Sequence, residues 1–414
     1  MKMSTFQKRF TEESGIVSLM EDLGEANASD RDILMLGGGN PAHIPEVQLF
    51  FQERIQQIAN NPAEFAHLIG DYDSPKGNKN FIEALVDLFN KEYGWQIGTE
   101  NVALTAGSQS GFFMLFNIFS GDYEDGSFKH ILLPILPEYI GYSDLGLAEN
   151  QFVAQKPLIE KFEDRSFKYH VDFDQLVMGP DTGAICVSRP TNPTGNVLSD
   201  DEVDKLSRLA REQAIPLILD NAYGLPFPNI IFTPAHLKWE EHIIICLSLS
   251  KLGLPGVRTG IIIANADIID CIAKMNAIFN LALGNLGPAL ALDIVHSRNI
   301  LKLSDNIIRP YYEQRARKAT DCLKQALDGV DFYIHVTEGA FFLWLWLPGL
   351  PISSAELYQR LKKRGVLVVP GNYFFPGLKD GWDHQHECIR ISYAMQDNIV
   401  REGIFKIAEE IKSL

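Results

Sequence analysis

The chain lacks any uninterrupted apolar stretch near the ~20 residues that a membrane-spanning helix needs. Its longest apolar runs, around 112–119 and 340–347, are the length of a core strand or short helix. There is no internal repeat, no low-complexity tract and no long proline- or glycine-rich linker. Cysteines are few and unpaired in pattern: Cys186, Cys246, Cys271, Cys322 and Cys388 form no CxxC motif and are odd in number. That usage excludes a disulfide framework and fits a reducing compartment. Residues 1–10 mix Lys, Ser, Gln and Arg with Phe and have no apolar signal-peptide core, so the cytoplasm is the expected location. Positive charge is in deficit. With 37 Lys and Arg against 53 Asp and Glu, the net charge is −16, which argues against nucleic acid and anionic membranes as partners. A negatively charged substrate must then be gripped locally, by individual arginines.

What is present is an ordinary globular composition, 46% hydrophobic and 22% charged over 414 residues, enough for two or three domains. Short apolar runs recur at 102–104, 131–133, 184–187, 216–219, 243–247 and 260–264, mostly separated by stretches of helical length or pattern. Continuous apolar strands alternating with helices describe a parallel sheet covered on both faces. One helix shows the logic: Ser199 and Glu202 form a capping box, and Val203, Leu206, Leu209 and Ala210 follow at helical spacing. From about residue 300 the pattern becomes mixed. A second capping box at Ser353 and Glu356 opens a helix that stops at Gly365, and a last amphipathic helix begins at Asp397. The expected fold class is α/β. A large domain, 45–300, carries a mainly parallel, doubly wound sheet, and a smaller α+β domain combines 1–44 with 301–414.

Polar residues cluster where these strands end, which is where open α/β sheets bind ligands. Leu-Thr-Ala-Gly-Ser-Gln-Ser-Gly at 104–111 leads into an apolar helix; its free N–H groups suit a phosphate, although ordinary helix caps look alike. Arg-Pro-Thr-Asn-Pro-Thr-Gly at 189–195 is a rigid turn that aims Asn192 outward. Asp220 ends an apolar run with Tyr223 three residues on; it is either an N-cap or a carboxylate that holds a proton on a ring nitrogen. Ser-Leu-Ser-Lys at 248–251, followed by Arg258, places a lysine straight after an apolar strand. Lost solvation there favours the neutral, nucleophilic amine. A partly buried, ion-paired lysine is the plainer reading of Lys251 alone, but a single cofactor explains all four strand ends.

The order Asn-Pro-Thr-Gly, Asp-x-x-Tyr, Ser-x-Ser-Lys and then Arg resembles the fold type I, class I/II pyridoxal-phosphate aminotransferases, and the likeness runs from the region 10–23 to the C-terminal helix. The resemblance implies that Lys251 bonds covalently to the aldehyde carbon of pyridoxal phosphate and later moves a proton on the substrate. It implies that Asp220 pairs with the ring nitrogen and that Tyr223 and Asn192 donate to the ring hydroxyl. Ser108, Gln109, Ser248, Ser250 and Arg258 match the phosphate cup, and Tyr139 matches the aromatic stacked on the ring. Tyr72 matches a tyrosine that reaches the partner subunit's phosphate, which implies a homodimer. Arg390 matches the clamp on the substrate α-carboxylate, with Asn192 and the backbone of Gly39 beside it; without the resemblance Arg390 reads as an edge-strand surface charge. The implied reaction moves the amino group of an L-amino acid, valine or a similar apolar one, to a 2-oxo acid, pyruvate. A β-lyase on the same scaffold, and a binding protein that has lost catalysis, are the alternatives. Two departures stand out. Seven residues separate Lys251 from Arg258 where many relatives have eight, and Phe81-Ile82 stands where Leu-Arg is common. The cluster His384, His386 and Cys388 suggests zinc, but it has no clear fourth ligand and the family needs no metal, so none is expected.

Overall fold

The computed structural model describes residues 2–11, 14–28 and 33–414. Contacts divide the chain into two compact units. Pro41–Ile118 joins Ser199–Tyr311, and Met1–Asn40 joins Phe119–Leu198 and Tyr312–Leu414. They are called here the Lys251 unit and the Arg390 unit.

In the Lys251 unit four strands lie side by side in the order Val102–Thr105, Gly260–Ile263, Ile243–Ser248, Leu217–Asp220. Three of them are buried at every position and the fourth at all but Asp220, so each inward Ile or Leu contributes about 1.5–3 kcal/mol of burial. Leu217–Asp220 and Ile243–Ser248 run parallel. Gly260–Ile263 does not: it is antiparallel to both of its neighbours, against the parallel arrangement expected from the apolar runs. The cause is the short connection after Ser248. It holds only two single-turn 3₁₀ segments, Ser250–Leu252 and Pro255–Val257, whereas a parallel return needs a crossover of a dozen residues or more, usually a helix. The helix Asp200–Glu212 begins as its sequence indicates. Ser199 Oγ accepts from Glu202 N at 3.2 Å, and Glu202 Oε2 accepts from Ser199 N at 2.8 Å. In helix Lys79–Tyr93, Phe81 and Ile82 are buried at 0% and 3% exposure. Ile82 is therefore a core residue.

The Arg390 unit holds more sheet. Phe128–Leu133 is parallel to both Thr182–Ser188 and Phe152–Ala154. A six-stranded sheet runs in the order Val369–Pro370, Cys388–Ser392, Phe342–Trp346, Tyr333–His335, Ser166–His170, Leu158–Lys161. Its last two strands form a hairpin, and Ser166–His170 pairs parallel with Tyr333–His335. That ladder ties 158–170 to the C-terminal part of the same unit. Leu34–Met35 pairs parallel with Val366–Leu367, so the N-terminal segment joins the same unit. At the helix Ser354–Lys363 only half of the expected capping box forms. Ser353 Oγ accepts from Glu356 N at 3.2 Å, while the Glu356 carboxylate accepts from Arg360 instead.

His384 and Cys388 are buried beside each other, with Nε2 and Sγ 3.7 Å apart, while His386 is exposed. Among the described residues no group of three or more His, Cys, Asp and Glu is placed to hold a metal ion. No helix among them is long and apolar enough to cross a membrane.

Candidate active site

The strand register brings the first set of site residues together in the Lys251 unit. Thr105 lies opposite Gly260, Gly260 opposite Ser248, and Cys246 opposite Asp220. The turns that leave these strands therefore share one edge. Gly107, at φ +84°, turns the chain into the helix Ser108–Phe119. A side chain at Gly107 would collide with the Arg258 guanidinium. At Gly260 a Cβ would lie 2.8 Å from Ser108 N. Both positions need glycine: the left-handed φ and the guanidinium exclude a side chain at Gly107, and the Thr105 hydroxyl and the Gly107–Ser108 backbone exclude one at Gly260. Ser108 Oγ donates to Leu247 O at 3.2 Å, and Ser248 Oγ accepts from Ser250 N at 3.1 Å. Arg258 itself sits at φ +49°, exposed, with Nη1 3.5 Å from Pro255 O. Gln109 is half-buried one residue into the helix.

Lys251 is half-buried, with Nζ 5.1 Å from the centre of the Tyr223 ring. Tyr223 is 5% exposed. Asp220 turns over its own strand end, its Oδ1 accepting from Ala222 N at 3.1 Å. Its charge is felt across the register: the Cys246 thiol is pushed well up, first by burial and then by Asp220. Tyr72, in the same unit, is 82% exposed.

The second set lies in the Arg390 unit. Arg390 is not an edge-strand surface charge, because Cys388–Ser392 has partners on both sides and Arg390 is 1% exposed. Its Nη1 donates to Asn192 Oδ1 at 2.7 Å and its Nη2 to Gly37 O at 2.6 Å. The guanidinium lies 4.2 Å from the centre of the Phe342 ring and 5.3 Å from that of Phe374. Aromatic faces attract a cation and exclude water from it. A side chain at Gly39 would meet nothing within 4 Å, so that half-buried backbone borders open space. Tyr139 is half-buried and makes an edge contact with Tyr142, ring centres 5.4 Å apart. Of the segment 10–23, Glu12 and Glu13 lie outside the described residues.

Sequence reasoning missed Glu138. It is 0% exposed, and its carboxylate accepts from Ser188 N at 2.8 Å, Ser188 Oγ at 2.5 Å and Tyr139 N at 3.3 Å. The available signal was an acid inside the otherwise apolar 131–140.

The model of the class I and II aminotransferases matches residues 51–407. The chain belongs to that family. It is 48% identical to the valine–pyruvate aminotransferase of Escherichia coli (strain K12) over 412 residues, covering 100% of this chain and 98% of that one. The crystal structure of valine–pyruvate aminotransferase from Salmonella typhimurium LT2 superposes with a TM-score of 0.88 at 48% identity, covering 96% and 98% of the two chains. A crystal structure from Psychrobacter arcticum 273-4 gives 0.97 at 47% identity, covering 100% and 99%. The fold is that of the fold type I aminotransferases. Members of this family depend on pyridoxal phosphate and act on amino and 2-oxo acids.

The residues of the Lys251 unit fit such a cofactor. The edge at Gly107 and Ser108 supplies N–H, hydroxyl and guanidinium donors for a phosphate, and the start of a 12-residue helix adds its positive dipole end. Asp220 offers a carboxylate acceptor of the kind that a protonated ring nitrogen would need, and Lys251 offers an amine.

Proposed function

We propose that this aminotransferase moves the amino group of valine, or of a similar apolar L-amino acid, to pyruvate, with pyridoxal phosphate bonded to Lys251. The observation that carries the reading is the 48% identity to a valine–pyruvate aminotransferase along the whole chain. Pyridoxal phosphate, when bound, supplies an electron sink that accepts the pair from the substrate Cα–H bond.

The protein's own residues do the rest. Ser108, Gln109, Ser248, Ser250 and Arg258 hold the phosphate, and Tyr72 serves the same group in the partner subunit of a homodimer. Asp220 keeps the ring nitrogen protonated, and Tyr223 and Asn192 donate to the ring oxygen. The Lys251 amine would take the proton from the substrate Cα and deliver it to the cofactor's C4′, as a general base and then a general acid. Arg390 pairs with the α-carboxylate through a fixed fork of donors, which sets orientation as well as affinity. Gly39 leaves backbone space beside that carboxylate, and Tyr139 packs against the ring. The proposed setting is the cytoplasm, and the reading requires no metal ion.

Purified protein loaded with pyridoxal phosphate should convert it to the amine form when given valine, and pyruvate should reverse the change. Release of pyruvate and ammonia from cystathionine, without reversal, would replace this reading with a β-lyase.

A further inference from the structure

We propose that Glu138 is a positioning residue that holds the ring-stacking Tyr139 and the carboxylate-binding pair Asn192–Arg390 in one fixed arrangement. The inference rests on the proposed function and deepens it.

Two loops of the Arg390 unit carry Tyr139 and Asn192. One follows Phe128–Leu133 and reaches Tyr139. The other follows Thr182–Ser188 and reaches Asn192. The two strands are parallel neighbours, so the loops leave at the same edge, and neither loop has regular structure to stiffen it. Glu138 bridges them. One carboxylate oxygen accepts from the backbone N–H of Ser188, the other from the Ser188 hydroxyl and from Tyr139 N. Ser188 extends the hold into its own loop, since its carbonyl accepts from Thr191 Oγ1 at 3.1 Å, next to Asn192. Tyr142 OH lies 3.2 Å from Ser188 Oγ, which anchors the first loop again beyond Tyr139. The backbone of Glu138 reaches the third group, its N–H donating to Phe374 O at 2.9 Å. Phe374 carries one of the two rings against the Arg390 guanidinium.

A fully buried carboxylate is expensive unless several donors meet it. A loop joint that needed only a hydrogen bond would be met by Ser, Asn or Gln without that penalty. What the carboxylate adds is two oxygens accepting in fixed directions, with short, charge-assisted bonds that resist displacement. Because Glu138 precedes Tyr139 directly, a shift of its carboxylate is a shift of the ring.

The test uses the full-length holoenzyme, Glu138→Gln and Tyr142→Phe. Glu138→Gln keeps the shape but turns one acceptor into a donor facing Ser188. Expected in that variant are a changed circular dichroism of the bound cofactor's absorption band and a cofactor dissociation constant and valine KM each raised roughly 10- to 100-fold. The kcat should fall less than KM rises. Tyr142→Phe should move the same readouts in the same direction by a smaller factor, and it carries the test if Glu138→Gln does not fold. A purely structural Glu138 would lower the melting midpoint and leave the dichroism, cofactor affinity and KM at wild-type values in whichever variants fold; that result overturns the proposal. A wild type that binds no pyridoxal phosphate overturns it together with the proposed function, whereas a normal wild type with unaltered variants overturns it alone.

Discussion

The two sets of site residues are built by opposite means. In the Lys251 unit Asp220, Lys251 and Arg258 lie at or beside the ends of strands, and that edge is packed tightly at Gly107, against the Arg258 guanidinium, and at Gly260, against the Gly107–Ser108 backbone. The functional side chains there remain half-buried or exposed at Lys251, Asp220 and Arg258. In the Arg390 unit the functional side chain is fully buried, and its partners come from far along the chain, 198 residues away at Asn192 and 353 at Gly37. The first design leaves chemistry replaceable without harm to the fold. In the second, on the role proposed for Arg390, substrate binding and stability share one structure.

Paired substitutions should break or confirm that contrast, and they carry the largest effect. Lys251→Ala should lose turnover by about 10⁴-fold or more, since no other group takes over its proton transfer, with the melting midpoint of the cofactor-free protein unchanged. Arg390→Ala should raise KM about 100-fold for every amino donor regardless of side chain, and should also lower unfolding stability by about 2–3 kcal/mol, because Asn192 and Gly37 O lose a buried charged donor. Steady-state kinetics over a donor panel, with urea unfolding of the cofactor-free forms, reads both. If Arg390→Ala left stability intact, or affected only some donors, the coupling of binding to fold would be wrong.

The same contrast explains what the sequence made legible. The strand ends of the Lys251 unit could be read because each is local: an apolar run, a turn and a polar residue fall within about a dozen positions. Glu138 could not be read, because its role depends on Ser188, fifty positions on, and an isolated acid carries no mark of its partner. The hairpin 158–170 was also missed. Its first strand, Leu158–Lys161, is largely exposed, so it shows no apolar run, and what places it is pairing across the sheet. The reversed strand Gly260–Ile263 was legible as a strand but not in direction, since direction follows from the length of the link before it and not from its apolar pattern. Arg390 was identified by resemblance to a family motif, and its burial followed from a strand pairing that its own sequence does not show.

A second test addresses stability within the Arg390 unit. His335 and His384, both in the Arg390 unit, are driven down to about 3, in each case mainly by burial, with Lys168 adding at His335 and Lys161 at His384. Their neutral forms are also the ones that fit: His335 Nε2 faces Tyr169 N at 3.4 Å, and His384 Nε2 faces Tyr169 OH at 2.5 Å. That hydroxyl already accepts from Trp344 Nε1 at 2.9 Å, so it has its proton to give to His384. Unfolded histidine takes up a proton near 6.5, so below that pH the unfolded chain binds more protons and stability falls as pH drops toward 3. At pH 5 the loss is about 2 kcal/mol per histidine. Urea unfolding at pH 7.5 and pH 5 should show it, and His384→Gln should remove about half of the difference. Equal pH dependence in the variant would mean that His384 is not buried as a neutral base.

The smallest expected effect compares two helix starts, one in each unit. Ser199 takes part in a reciprocal box, accepting from Glu202 N and donating its hydroxyl to Glu202 Oε2 at 2.8 Å. Ser353 only accepts from Glu356 N, because the Glu356 carboxylate is engaged by Arg360 at 2.7 Å. Removing a serine cap costs about 1 kcal/mol. Ser199→Ala should exceed that, since it also strips Glu202, 8% exposed, of a donor, while Ser353→Ala should fall at or below it. Neither change touches a functional group, so kcat and KM should stay at wild-type values in both. Urea midpoints for the two variants decide the matter. A larger loss at Ser353 would mean that the second half of the box adds nothing to the first, and that the tight start of the helix preceding Asp220 is held by packing of Val203 and Leu206 rather than by its cap.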